Sequence, residues 1–152
     1  MLLKFMKNIL RISIILFFFI AITPVFAQPH LVKIKNSSAV YLLHGDKSRH
    51  AFPNFLTYKS WYGEDFSKVA TVSSDFLATI PLGKNVTVRP GKNLVKIPSS
   101  PKIYAVEQGG VLRHVENEGI LEYFYGKDWK KRLIDIPEVF FSDYTIGEDI
   151  KN

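Results

Sequence analysis

The sequence predicts an α+β fold in which two tandem copies of one module, each a β-hairpin followed by short helices, pack as one compact domain. Three observations support this prediction. The tetrapeptide Leu31-Val-Lys-Ile34 recurs letter for letter as Leu94-Val-Lys-Ile97. Short apolar runs flank glycine-containing turns at matching places in both halves, which is typical of hairpins. Hydrophobic residues make up 47% of the chain and cysteine is absent, so an apolar core rather than disulfides must hold the domain together.

The duplication extends beyond the tetrapeptide. Val40-Tyr41 matches Ile103-Tyr104 at an offset of 63, and Arg49-His50 matches Arg113-His114 at 64, after a one-residue difference in the turn. The remaining matches are Asn54 with Asn117, residues 61–63 with 124–126, Asp65-Phe66 with Asp128-Trp129, and residues 80–86 with 144–150. Ordered matches with single-residue slips indicate two repeats, at about residues 31–93 and 94–152.

Each copy should begin with a hairpin. In copy one, residues 40–44 and 49–52 flank Gly45-Asp46, and Gly45 would supply the positive-φ position of the turn. The equivalent segments of copy two are residues 103–107 and 111–115, on either side of Gln108-Gly109-Gly110.

A short helix should follow each hairpin. Asn54 and Asn117 stand where an N-cap belongs, and Gly63 and Gly126 are suited to end the helices in a left-handed conformation. A second short helix is predicted near Ser73 in copy one. In copy two it should begin at Pro137-Glu138, with proline at the first helical position. The aromatic and aliphatic residues expected to face inward are Phe55, Tyr58, Tyr62, Phe76, Leu77, Ile80, Ile120, Leu121, Phe124, Tyr125, Phe140, Phe141 and Tyr144.

The two copies should be joined by a further hairpin. Residues 86–89 and 93–97 have strand character and flank Pro90-Gly91, a typical turn pair. This arrangement would connect the repeats without a flexible linker.

The first 27 residues read as a secretory signal peptide. Lys4, Lys7 and Arg11 precede an apolar run at residues 12–22, and the segment ends in Val25-Phe26-Ala27, with small residues at the positions that a signal peptidase reads. We expect cleavage between Ala27 and Gln28, leaving residues 28–152 as a single domain with no transmembrane helix. The alternative is a retained N-terminal anchor.

The charge of the chain is mild once this segment is set aside. The whole sequence has 20 basic and 14 acidic residues, and removing the three basic residues of the signal leaves 17 against 14, a net charge of +3. This value does not favour nucleic-acid binding. It is compatible with a cell-wall polymer or another surface protein as the partner.

The repeat pattern resembles a family. It runs through Val40-Tyr41, residues 49–54, Trp61-Tyr62, residues 80–83 and residues 86–91. In this pattern the chain is similar, over residues 31–150, to repeats in secreted or surface proteins of bacteria, notably those of small-genome candidate-phylum lineages. The shared features are turn glycines, prolines and core aromatics, and they specify a fold rather than a chemistry. The resemblance implies an extracytoplasmic accessory module.

The motifs of nucleophilic catalysis are missing from the sequence. It contains no cysteine and no G-x-S-x-G elbow, so we expect a protein that is not an enzyme, with no cofactor and no metal. His44, Asp46 and His50 form the one metal-like cluster, but copy two does not repeat it. Asp65 and Asp128 are the carboxylates that a glycan hydrolase would recruit, although loop carboxylates more often accept backbone hydrogen bonds.

Two groups of residues are candidates for ligand binding. The first is the pair of matched Arg-His dipeptides, for which strand positions at the surface are the simpler explanation. The second is the basic cluster around Trp129, which could contact anionic wall polymer or lipid headgroups. The candidates are Arg49, His50, Arg113, His114, Lys127, Trp129, Lys130, Lys131 and Arg132.

Neighbouring aromatic residues could also form platforms for sugar rings, although core packing is the commoner role. They are Trp61, Tyr62, Phe124 and Tyr125, together with Trp129. The sequence therefore predicts an exported, non-catalytic module that is secreted or held at the cell envelope as a structural or binding element. The alternatives are a polysaccharide- or peptidoglycan-binding module and a glycan-acting hydrolase.

Overall fold

The structure, a computed structural model, describes residues 30–151, so the predicted signal segment and its cleavage site at Ala27-Gln28 lie outside the described part. Its strands are β1 (His30–Ile34), β2 (Val40–Leu43), β3 (Arg49–Ala51), β4 (Val69–Val72), β5 (Leu94–Lys96), β6 (Tyr104–Glu107), β7 (Val111–His114), β8 (Leu133–Asp135) and β9 (Thr145–Ile146). The α-helices are α1 (Phe55–Tyr62), α2 (Ser74–Ala78) and α3 (Glu118–Tyr125), and 3₁₀ helices span Gln108–Gly110, Trp129–Arg132 and Glu138–Asp143.

Each copy forms its own mixed sheet. The order in copy one is β3-β2-β1-β4, with antiparallel pairing within the hairpin and parallel pairing of β1 with β4. The order in copy two is β8-β5-β6-β7-β9, and β5 pairs with β8 in the same parallel manner. The predicted α+β class, with its hairpins packed in one compact domain, is confirmed. The parallel strands β4 and β8, which follow the long helices, were not predicted.

Both sheets are covered on two faces by apolar residues. In copy one, α1 covers the face that contains Leu31, Val40 and Phe52, and α2 covers the opposite face through Leu77. Copy two repeats the arrangement, with α3 and the 3₁₀ helix at Trp129 on one face. The strands are nevertheless too short to form a core alone, so the helices supply much of the buried surface.

The predicted helix caps are confirmed. The side chain of Asn54 accepts a hydrogen bond from Thr57 N–H, and Asn117 does the same for Ile120 N–H. Gly63 and Gly126 follow the helices with positive φ of 67° and 79°, which other residues adopt only with strain, although their ψ of −140° and 172° lie outside the predicted left-handed helical region. These four residues fix where both long helices start and stop.

The second helices differ between the copies. Ser73 caps α2, as predicted, but in copy two the equivalent element is a 3₁₀ helix that Pro137 precedes as the N-cap. Pro137 therefore lies one position before its predicted place. Phe76 and Leu77 were both expected to face inward. Only Leu77 enters the core, whereas Phe76 is 43% exposed.

The helices also expose aromatic residues that were predicted to be buried. Phe55 is 49% exposed at the start of α1, and Phe124 is 64% exposed near the end of α3. On both helices the residues that pack inward lie on the adjacent face: Tyr58 in α1 and Ile120 with Leu121 in α3.

Strand pairing shows that the match between the two Arg-His dipeptides is wrong by one residue. Tyr41 faces Ala51, and its counterpart Tyr104 faces His114. The offset in the hairpins is therefore 63, so Arg49 corresponds to Leu112 and His50 corresponds to Arg113. Because side chains alternate along a strand, a one-residue shift moves each side chain to the opposite face.

The single-residue slip lies elsewhere. Leu31 pairs with Val69, whereas Leu94 pairs with Leu133, so the offset has become 64 by this point. The extra residue of copy two therefore falls in the segment between α3 and β8, which contains a 3₁₀ helix. Beyond it, Gly83 N–H donates to Arg49 O and Gly147 N–H donates to Leu112 O, both at 2.9 Å.

The first hairpin turn also differs from the prediction. Its left-handed residue is Lys47, with φ of 65°, rather than Gly45. The carboxylate of Asp46 accepts a hydrogen bond from Ser48 N–H at 2.9 Å, which fixes this turn without a glycine. In copy two, Gly109 and Gly110 both have positive φ, as the sequence predicts.

The joining segment is not a hairpin, and this correction changes how the copies are connected. Residues 86–89 form no strand, although Val86 N–H donates to Ala51 O at 2.9 Å, and β5 pairs with β6 and β8 instead. Trp61 Nε1 donates to Thr87 O at 2.8 Å, and Arg89 N–H donates to Ser60 Oγ at 2.9 Å. The segment is thus held by α1 on one side.

The other side of the joining segment packs against copy two. Val88 is fully buried in a cluster with Val95, Tyr104 and Leu112, and its N–H donates to the hydroxyl of Tyr144 at 3.0 Å. The joining segment therefore lies between the two cores and contributes to both.

Within residues 30–151, no helix is long and apolar enough to cross a membrane.

Candidate functional site

Arg49 and His50 are both bonded to their own copy. Arg49 Nη1 donates to Leu77 O, and the guanidinium lies 5.5 Å from the centre of the Tyr41 ring. His50 Nδ1 lies 2.7 Å from Lys84 O, and its Nε2 lies 3.1 Å from Asp46 Oδ2. These side chains connect the hairpin to α2 and to the segment that closes the sheet.

Arg113 has the role of His50 in copy two. Its Nε donates to Glu148 O at 2.8 Å, and Glu148 follows Gly147 just as Lys84 follows Gly83. Nη1 of Arg113 also lies 3.0 Å from Glu107 Oε1. Two different side chains therefore form the same bond to the closing segment, which indicates that the bond is needed for the fold.

The close approach explains the two glycines. A Cβ on Gly83 would lie 2.6 Å from Cε1 of His50, and a Cβ on Gly147 would lie 2.8 Å from Cγ1 of Val111. Contacts of a Cβ atom under 3.0 Å essentially do not occur in folded chains, so a side chain at position 83 would displace the His50 ring.

The basic cluster is partly neutralised. Lys130 pairs with Glu118 and Lys131 pairs with Asp128, each at 3.1 Å and at the surface. Among the described residues, Lys127 and Arg132 form no ion pair, and both are exposed. Exposed pairs contribute little to stability, so all four cations remain accessible to an anionic ligand.

Trp129 is not a surface platform. It is 5% exposed and belongs to the core beneath α3, with Lys130 Nζ 5.1 Å from the centre of its ring. Trp61 is also occupied, since its indole N–H bonds to Thr87 O. The freely exposed aromatic pair is instead Tyr123 and Phe124, which are 83% and 64% exposed with ring centres 5.0 Å apart.

Equivalent cavities lie beside the two N-caps. The cavity in copy two has a volume of about 270 Å³ and brings together His114, Trp129 and Lys130, three of the predicted ligand-binding residues. The imidazole of His114 lies 3.7 Å from Asp149 and 5.8 Å from the Tyr104 ring centre. The arrangement presents a mixed polar rim over an indole floor.

The cavity in copy one has different chemistry. It measures about 360 Å³ and is lined by aromatic residues, including Phe55, Tyr58 and Phe66. The rings of Tyr58 and Phe66 stack at 4.5 Å with an angle of 3° between them, and Phe66 is 47% exposed. Flat aromatic surfaces of this kind suit the apolar face of a sugar ring or an aliphatic chain.

The carboxylates that a hydrolase would need are engaged in local bonds. Asp65 Oδ1 accepts from Ser67 N–H at 2.8 Å, as predicted for a turn carboxylate, and the hydrogen bonds from Ser67 lower the pKa of Asp65. A general acid at neutral pH requires the opposite shift. Asp128 pairs with Lys131 instead of capping a turn.

The metal-like cluster is only partly assembled. Asp46 and His50 lie together, while the ring centre of His44 is 6.4 Å from that of His50. The backbone N–H of Ser48, which donates to Oδ1, is the main reason that the pKa of Asp46 is lowered. Within the described range, no group of three or more His, Cys, Asp or Glu is arranged to hold a metal ion.

Sequence reasoning missed Tyr123 and Phe66. Tyr123 stands beside a predicted core residue, and Phe66 was noted only as the partner of Trp129 in the repeat. The available signal was the change from Ser60 in copy one to Tyr123 in copy two, since a small polar residue replaced by tyrosine at the same helix position indicates different surroundings.

No protein-family model matches the chain, and comparison with curated proteins and with solved structures finds no match either.

Proposed function

We propose that this protein is an exported, non-catalytic repeat module that acts as a structural or binding element at the cell envelope. The observation that carries the proposal is that polar side chains at equivalent positions of the two copies are engaged in internal hydrogen bonds. His50 and Arg113 occupy equivalent positions and bond to equivalent carbonyl groups, at Lys84 and Glu148. Side chains that differ chemically but make the same internal bond serve the scaffold rather than a reaction.

The first test concerns export. Intact-mass analysis of the protein recovered outside the cytoplasm should give a chain that begins at Gln28, because the small residues at positions 25 and 27 direct the signal peptidase to that bond. An Ala27→Leu variant should accumulate uncut, while Gln28→Glu should be processed normally. Recovery of the parent chain with Met1 retained in a membrane fraction would support the anchor alternative.

A more specific role, binding of cell-wall polysaccharide or peptidoglycan, is favoured by one surface. The exposed rings of Tyr123 and Phe124 end α3, and Lys127 follows immediately after Gly126. Exposed aromatic rings followed closely in the chain by cations match a polymer that has both sugar rings and anionic groups.

This role predicts salt-sensitive retention on purified cell wall. Since each basic residue near an anionic surface contributes about 1 kcal/mol, reversing two charges in Lys127→Glu/Arg132→Glu should weaken retention more than about tenfold at low salt. The matched control is Lys35→Glu/Lys102→Glu, the same charge change at exposed sites elsewhere. Retention of the parent should fall as salt shortens the screening length to about 10 Å at 0.1 M.

The same preparation separates binding from hydrolysis. Equal loss of retention in the control variant would assign the effect to net charge and remove the case for this surface. Release of soluble sugar by the parent but not by Asp65→Asn or Asp128→Asn would establish a glycan hydrolase, and the non-catalytic proposal would then be wrong.

A further inference from the structure

A cavity of about 740 Å³ opens on copy one between the hairpin turn and α2. Its lining is largely apolar and includes Leu43, Phe76, Ile80 and Pro81, with the turn residues 44–48 at its rim. Phe76 is 43% exposed here, and Leu77 is the buried residue of the same helix. The cavity is distinct from the one beside the α1 N-cap.

In copy two the joining segment fills the equivalent place. Gly91 N–H donates to Val106 O and Val88 N–H donates to the Tyr144 hydroxyl, each at 3.0 Å. Asn85 Nδ2 donates to Asp143 Oδ2 at 3.0 Å. The side chain of Thr87 lies against Gly110, where an added Cβ would be 2.8 Å from Thr87 Cγ2.

Four residues of copy two that contact the joining segment have direct counterparts in the open cavity of copy one. By the strand register and the offset of 64 beyond it, Val106, Gly110, Asp143 and Tyr144 correspond to Leu43, Lys47, Thr79 and Ile80. All four counterparts line the cavity of copy one. One module thus shows the site occupied, and the other shows it open.

The differences between the sites define the occupant. Lys47 has the same left-handed backbone as Gly110 but carries a side chain, so the residue at the Thr87 position must be smaller, ideally glycine. Ile80 replaces Tyr144 and removes one hydrogen-bond acceptor. Leu43 preserves the apolar floor for a residue such as Val88.

We propose that the cavity of copy one is a docking site for an extended peptide segment of a partner protein, in which a β-branched apolar residue follows glycine. This inference rests on the proposed binding role and deepens it by naming the class of partner. It concerns a different surface from Tyr123 and Lys127, so a negative peptide titration would leave the cell-wall experiment unaffected.

The probe is a fluorescent peptide of residues 84–91 that carries Thr87→Gly, titrated against residues 28–152 by anisotropy. This chain contains every described element. Val25 precedes Leu31 by the same distance as Val88 precedes Leu94, so Val25 is the residue of copy one that is equivalent to Val88. The chain used in the titration lacks it. We expect saturable binding that is lost when the peptide also carries Val88→Asp, because that change places a charge over the apolar floor.

Variants of the protein locate the peptide. Phe76→Ala should weaken binding about tenfold, since truncating an aromatic wall removes a large contact area. The matched control is Phe55→Ala, a residue of similar exposure that lines the other cavity of copy one. Ile80→Tyr, which restores the acceptor seen in copy two, should strengthen binding about fivefold, the value of one added hydrogen bond.

Three results would overturn the proposal. One is equal affinity for the probe and its Val88→Asp form, and another is equal loss of affinity in Phe76→Ala and Phe55→Ala. The third is concentration-dependent dimerisation that Phe76→Ala abolishes and excess probe does not, which would make a second copy of this chain the occupant. Each variant is compared with the parent by circular dichroism, so a loss of affinity in an unfolded sample is not counted.

Discussion

Val88→Asp should lower the free energy of unfolding by more than about 3 kcal/mol, because it leaves an unpaired carboxylate in a fully buried site. Both copies should lose stability together. The joining segment contacts α1 through Trp61 and Ser60 and also contributes Val88 to the core of copy two. A change in this segment therefore weakens both halves of the domain.

The two tryptophans allow this to be measured in each copy. Trp61 lies in copy one and Trp129 in copy two, and the chain has no other tryptophan. Single-tryptophan variants, Trp129→Phe and Trp61→Phe, report the unfolding of one copy each in denaturant. We expect each single-tryptophan variant to unfold in one transition, which should coincide with its transition followed by circular dichroism, as two-state unfolding requires. The parent, which contains both tryptophans, should likewise give a single fluorescence transition.

The matched control is Val139→Asp, which introduces the same charge at a valine that is 73% exposed, and it should change stability by less than about 0.5 kcal/mol. Two separate transitions in the parent, or a Val88→Asp effect confined to the probe at Trp129, would show that the copies fold independently.

Leu112→Arg should destabilise the protein by about 4 kcal/mol or more, whereas Arg49→Leu should leave it within about 1 kcal/mol of the parent or more stable. Strand pairing makes these positions equivalent. Leu112 is fully buried in an apolar cluster, where a guanidinium would have no partner. Arg49 already has a buried Nε without a hydrogen-bond partner among the described residues, and leucine would remove that cost.

Chemical denaturation of the three single variants Leu112→Arg, Arg49→Leu and Arg113→Leu checks this. Arg113→Leu should lose about 1 kcal/mol, the usual value of the surface bonds it makes to Glu148 and Glu107. If Arg113→Leu were neutral and Arg49→Leu cost several kcal/mol, Arg49 would be a structural anchor and its unpaired Nε would carry no penalty.

The boundaries of the long helices could be predicted because local chemistry determines them. Asn54 and Asn117 accept the free N–H groups of the first turn, and the glycines after the helices adopt φ values that side chains disfavour. The hairpins were predictable for a similar reason, since short apolar runs flank a turn in both copies.

The joining segment shows where a local pattern misleads. Its alternation of Val86 and Val88 with polar residues is typical of a strand that has one buried face. In the structure the alternation has another cause, since Val86 packs against the core of copy one and Val88 belongs to the core of copy two. Thr87 O, Val88 N–H and Arg89 N–H bond to side chains, and Val86 N–H bonds to Ala51 O of β3 without forming a strand ladder. Only tertiary structure could reveal this.

The prediction of the candidate site was wrong in part because the two repeats were matched one residue out of register in their hairpins. Matching Arg49-His50 with Arg113-His114 by residue type placed two arginines in one role, although the first lies beside the α2 face and the second binds the closing segment. Letters alone misplaced the slip, because the two Arg-His dipeptides match by residue type at an offset of 64, although the paired strands of both hairpins keep an offset of 63. The open cavity was likewise invisible, since its existence depends on what covers the equivalent surface in copy two.

The parallel strands β4 and β8 have a consequence for solubility. Each forms the outer edge of its sheet, and within the described residues no further strand pairs with it. Such edges can template intermolecular β-sheet and lead to aggregation. Here they are only four and three residues long, β4 follows Lys68, and β8 ends at Asp135, which pairs with Lys96 at 3.2 Å. Short, charged edges of this kind disfavour growth of a shared sheet between neighbouring molecules at high concentration.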